Sequence, residues 1–139
     1  MEPEMAQLLA ELDPAAYILA NLENLKPEEV YTRATEFVTI LRKAHPETPI
    51  LLLESVRYSH AFLTPEANNH ILQERRELAR AFEAVIRNGT QQIYYVHGDA
   101  LYGVDGEAAV DGVHATDVGF IRQADALESL LWQILENAP

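Results

Sequence analysis

The chain contains no cysteine. That excludes disulfide staples, thiolate-ligated zinc and a cysteine nucleophile, but it does not settle the compartment. Basic residues are few: 10 Lys and Arg stand against 22 Asp and Glu, a formal net charge of −12 at pH 7. This balance argues against nucleic acid and anionic membrane surfaces, since both reward basic patches. No apolar run reaches the ~20 residues that span a bilayer. No basic segment followed by an apolar one opens the chain as a secretory signal would. The serines are Ser55, Ser59 and Ser129. None stands in Gly-x-Ser-x-Gly or Gly-Asp-Ser, so no nucleophile elbow is visible. Nor do His45, His60, His70, His97 and His114 include a pair at helical metal-binding spacing. A metal site would need long-range assembly of His60 and His97 with Asp99 or Asp105. No metal and no cofactor is expected.

What is present fits one soluble globular domain over residues 1–139. Hydrophobic residues make up 48% of it and charged residues 23%, enough for a single core. Residues 3–12 read as a short helix with Met5, Leu8, Leu9 and Leu12 inward, stopped at Asp13-Pro14. Residues 15–22 form an apolar run of strand length, of the kind buried on both faces of a parallel sheet. Pro27 opens a helix with Glu28 and Glu29 in its first turn. Arg42 and Lys43 lie in its last turn, and Pro46 ends it. Residues 49–53 are a second buried strand. Thr64-Pro65-Glu66 starts a long helix, Thr64 serving as cap and Asn88-Gly89 as stop. Its apolar face is Ile71, Leu78, Phe82 and Val85, with Leu72, Ala79 and Ile86. Residues 93–96 are a third strand, and a Gly- and Asp-rich loop runs from His97 to Gly112. Thr116 caps a final helix with Phe120, Ala124, Leu127, Leu131 and Ile134 inward.

Helices alternating with strands imply a parallel sheet with right-handed crossovers. Ligands of such sheets gather beyond the carboxyl ends of the strands. Three polar stretches fall there: Asn21 to Asn24, Glu54 to His60, and His97 to His114.

The last stretch holds Asp111-Gly112-Val113-His114. An imidazole titrates near neutrality and can take and return a proton. An acid three residues earlier can fix its tautomer and stabilise the imidazolium, and Gly112 permits the turn. The alternative is a helix entry with two surface polar residues. Asn24 follows strand one, where a loop Asn ordinarily caps local backbone. Ser55 is either a nucleophile at the active edge of the sheet or a plain strand exit. Tyr58, Tyr94, Tyr95 and Tyr102 either line an acyl or carbohydrate pocket or are partly buried sheet and loop residues.

The run Asp111-Gly-Val-His-Ala-Thr-Asp-Val-Gly-Phe120 resembles the last block of the SGNH hydrolases, the GDSL-type esterases and lipases. The resemblance extends over nearly the whole chain, through residues 13–24, 42–54 and the tail from Tyr94. It implies a three-layer αβα sandwich with a parallel, flavodoxin-like sheet, and the carboxyl-terminal part of such a hydrolase. It implies His114 as general base, Asp111 as its orienter and Asn24 as an oxyanion donor, on acyl or acetylated-carbohydrate esters. Ala115 stands where the family commonly has Pro, and Glu23 where it often has Pro. The family's Gly-Asp-Ser block and its oxyanion-hole glycine have no counterpart here. The expectation is therefore that a segment upstream of Met1 supplies the serine and that the chain alone is inactive. Without the strand preceding that serine, the 15–22 strand is an exposed edge, expected to self-associate or to pair with such a segment. The competing expectation is a non-catalytic binding or interaction domain that retains the fold.

Overall fold

A computed structural model describes residues 1–136. Three strands, β1 (Tyr17–Leu19), β2 (Ile50–Leu53) and β3 (Ile93–Val96), form a parallel sheet in the order β1-β2-β3. Tyr17 pairs with Ile50, which pairs with Ile93, and the register runs on to Leu53 beside Val96.

Side chains alternate across each strand, and each face has its own cover. Helices α1 (Pro3–Leu9), α2 (Pro27–Ala44) and α3 (Pro65–Arg87) bury Tyr17, Leu19, Ile50 and Leu52 beneath Val30, Phe37, Leu41 and Leu78. On the opposite face, the short α4 (Asp99–Tyr102) and α5 (Asp117–Glu136) cover Leu51, Leu53 and Val96 with Leu101, Tyr102 and Ile134. This is the expected three-layer αβα sandwich.

The local chemistry explains the boundaries. Pro27 opens α2, and the Glu29 carboxylate accepts the Lys26 N–H at 3.3 Å. The Arg42 guanidinium donates to the carbonyls of His45, Pro46 and Thr48 at 2.8–2.9 Å, so the carbonyls that leave α2 are satisfied on the way into β2. Thr116 Oγ1 accepts the Gly119 N–H at 3.1 Å and caps α5 as expected.

Several expectations are corrected. The 15–22 strand is ordered as strand only over Tyr17–Leu19, and it is buried on one face: Ile18 is 46% exposed. As an edge strand of the described sheet it pairs only with β2, and Ile18 shares a shallow cavity with Met1, Met5 and Leu9. The first helix ends at Leu9 rather than 12; its buried residue is Ala6, while Met5, Leu8 and, beyond the helix, Leu12 are exposed. Thr64 does not cap α3, because its hydroxyl donates back to the His60 carbonyl at 3.2 Å. Leu72 and Ile86 are exposed; Glu74, Ala81 and Ala84 take the inward positions instead. In α5, Gly119 and Ile134 are buried while Phe120 and Ala124 are exposed. The segment read as loop after β3 contains α4, too short to carry a helical period.

Candidate active site

The chain from Ala108 to Thr116 folds back on itself. Val110 N–H donates to the His114 carbonyl and Thr116 N–H to the Ala108 carbonyl, both at 2.9 Å. Gly112 lies at the apex with φ of +91°, a conformation glycine adopts without strain. A side chain there would also collide with the His60 ring. The loop is anchored from two neighbours. Ser59 N–H donates to the Gly112 carbonyl at 2.8 Å, and the Tyr102 hydroxyl to the Val113 carbonyl at 3.1 Å.

Asp111 uses both oxygens. Oδ1 accepts the Val113 and His114 backbone N–H groups at 3.0 and 2.8 Å; Oδ2 lies 2.7 Å from His114 Nδ1. The His114 amide, then its imidazole, then the Val113 amide hold the Asp111 carboxyl well below the usual carboxylate range. An ionised Asp111 accepting at Nδ1 places the ring proton there and leaves Nε2 as the free nitrogen. Both side chains are open to solvent.

His114 and Asn24 line one cavity of about 430 Å³ at the carboxyl edge of the sheet, with Glu23, Glu54, Tyr58 and Phe120 also on its wall. Asn24 ends a 3₁₀ turn, Leu22–Asn24, and among the described residues its side chain makes no local capping bond. The structure thus brings Asp111, His114 and Asn24 to one place.

Ser55 is not with them. It is fully buried, and its hydroxyl donates to Glu74 Oε2 at 2.7 Å. A buried carboxyl, not an imidazole, faces that hydroxyl, and its full burial keeps it from a substrate. Burial pushes the Glu74 carboxyl up, while the Ser55 hydroxyl and the neighbouring His70 pull the other way. Among the described residues His60, His97, Asp99 and Asp105 do not converge on a three-ligand metal cluster. Of the four tyrosines, Tyr58 and Tyr102 line the cavity, whereas Tyr94 and Tyr95 belong to β3.

Glu54 escaped individual notice within its polar stretch. It accepts from the Tyr95 hydroxyl at 2.8 Å and the Gly98 N–H at 2.9 Å, with Arg75 Nε 3.5 Å away. It ties the ends of β2 and β3 together beneath the cavity. Burial and the Glu54 carboxylate push the Tyr95 hydroxyl far up, so it stays a donor. The signal available in the sequence was an acid directly after an all-buried strand, where an ionised group needs built-in partners.

Comparison with known proteins identifies the family and the fold. A family model for the GDSL-like lipase/acylhydrolases matches residues 1–132. A protein described as a GDSL-like lipase from Bacteroides ovatus is 30% identical, with a TM-score of 0.92 over 98% of this chain and 40% of its own. The salicylyl-acyltransferase SsfX3 from a tetracycline biosynthetic pathway shares the fold at 21% identity. Its TM-score is 0.78 over 96% of this chain and 41% of its own. No curated protein matches. The chain spans less than half the length of these two solved structures, and over that span it belongs to the GDSL-like lipase/acylhydrolase family.

Proposed function

We propose that this chain carries the base half of an ester-hydrolysing site acting on acyl or acetylated-carbohydrate esters. The observation that carries the reading is the 2.7 Å contact between Asp111 Oδ2 and His114 Nδ1 in a cavity shared with Asn24. A serine hydroxyl would attack the ester carbonyl while its proton passes to His114 Nε2. Asp111 would stabilise the imidazolium at Nδ1. The tetrahedral oxyanion would receive the Asn24 side-chain N–H, a donor whose loss costs ~10²–10³ in rate. The imidazolium would then protonate the departing alkoxide, and His114 would activate water to release the acid.

None of the serines of this sequence stands in a Gly-Asp-Ser block, and Ser55 is sealed against Glu74. We assign the nucleophile to a Gly-Asp-Ser segment that docks beside β1. The free edge of β1 and exposed Ile18 support this, since an unpaired apolar edge recruits another strand. In the absence of such a segment, a second copy of the chain takes the edge. The reading as a non-catalytic binding domain draws on the same missing nucleophile.

The test is to fuse a Gly-Asp-Ser segment from a family member ahead of residue 1 and assay ester hydrolysis. Turnover should appear and fall ~10³-fold or more with His114→Ala. Turnover indifferent to His114 would defeat the proposal. A correctly folded fusion that stays inert would favour the binding domain.

A further inference from the structure

A second cavity of about 210 Å³ opens between residues 57–62 and 102–108, with Arg57, Tyr58, Phe62, Tyr102, Val104 and Asp105 on its wall. It shares Tyr58 and Tyr102 with the cavity of His114. The two spaces therefore adjoin, and both are braced against the same loop by the Ser59 amide and the Tyr102 hydroxyl.

Its wall carries one guanidinium and one carboxylate. Asp105 is the acid on this wall, and Arg122 neutralises it through two contacts of 2.6 Å, which hold its carboxyl well below the usual range. Arg57 has no acidic partner among the described residues, whereas Arg33, Arg75, Arg80, Arg87 and Arg122 each have one. Arg57 is thus the cation on this wall left to meet a ligand's anion, while Glu23 acts on Tyr58 and Tyr102 from the side of the His114 cavity. The rim is apolar and uncovered: Phe62 is 76% and Val104 94% exposed. Apolar side chains beside a lone, well-placed cation are the composition of a small-molecule site. A guanidinium matches a carboxylate through two parallel N–H donors.

We propose that this cavity binds the carboxylate-bearing part of an ester substrate, with Arg57 on the carboxylate and Phe62 and Tyr58 against its apolar body. The proposal rests on the ester-hydrolase reading of the adjoining cavity. Esters whose acyl or alcohol portion ends in a carboxylate are the substrates it selects.

The probes are 4-acetoxybenzoate and its uncharged methyl ester, with binding to the chain followed by amide NMR. The acid should bind about tenfold tighter than the methyl ester, with shifts centred on residues 57–62 and 102–106. Arg57→Gln should erase that preference, and Phe62→Ser should weaken both probes; both side chains are exposed, so folding is spared. Equal binding of the two probes, or a preference that survives Arg57→Gln, overturns the proposal. Binding is read without turnover, so the two claims separate. Flat binding beside an active fusion protein sinks the subsite alone. Retained, Arg57-dependent binding beside an inert fusion sinks the hydrolase reading and leaves the anion site standing.

Discussion

On one face of the sheet, α1, α2 and α3 cover Tyr17, Leu19, Ile50 and Leu52 until none is more than 6% exposed. On the other, α5 covers Leu51 and Leu53 but leaves Ile18 bare, and itself shows Phe120, Ile121 and Trp132 to solvent. The first face is a finished core, and its residues hold the fold. The second face is less covered at β1, and the Asp111–His114 loop lies at the carboxyl edge of the sheet. Apolar surface left open beside polar, chemistry-bearing groups marks a place built to receive something. The core that holds the fold and the proposed site thus occupy different parts of the same sheet.

The largest expected effect breaks the finished side. Leu52→Ala, at a site 1% exposed, should lower unfolding free energy by about 2–5 kcal/mol in denaturant titration. Phe120→Ser on the open side should change it by no more than about 0.5 kcal/mol. Similar losses from the two would erase the distinction.

Next in size is Gly98→Ala. Its Cβ would run into the Ser55 carbonyl and the Arg75 guanidinium, displacing the Gly98 N–H from Glu54. A loss of about 1–3 kcal/mol is expected, read by thermal unfolding. In amide NMR, changes should centre on the ends of β2 and β3.

Glu74 tests the buried side by pH. Its carboxyl is raised by burial, so the folded chain holds the proton more tightly than the unfolded chain. Stability from this group is greatest below the unfolded pKa, ~4.3 for a Glu. It is lost as pH rises through the folded value. Glu74→Gln should therefore gain in Tm relative to the parent as pH rises above the ordinary Glu range. A gap that closes with rising pH would contradict the assignment. Asp111 on the open side behaves oppositely. Its carboxyl is held low, so its loop contacts should persist as pH falls through the ordinary carboxylate range. Exchange protection of the Val113 and His114 amides is the readout, and Asp111→Asn should reduce it.

The smallest effect concerns the edge. Ile18→Lys should leave the Tm nearly unchanged while reducing any concentration-dependent association seen in light scattering. Association that ignores the substitution would place the contact elsewhere.

The order of elements was legible because the long helices repeat apolar residues at helical spacing and Pro27, Pro65 and Gly89 mark their ends. The orientation of α1 and α5 was not. A helix lying on an incomplete layer carries apolar residues on more than one side, and its period does not say which side the sheet takes. Asp111 and His114 were legible because the pair is local, three residues apart around a glycine. Glu54, Arg75, Tyr95 and Gly98 were not, because their meeting depends on the register of β2 with β3 and on α3 crossing beneath it. Ser55 stood at the correct edge in sequence, but only its burial against Glu74 removes it as a nucleophile.

The most direct test of the proposed Asp111–His114 base pair is p-nitrophenyl acetate hydrolysis by the purified chain, beside His114→Ala and Ser55→Ala. The account predicts trace turnover that falls with His114→Ala and is untouched by Ser55→Ala. Robust turnover abolished by both substitutions would contradict it and make Ser55 the nucleophile.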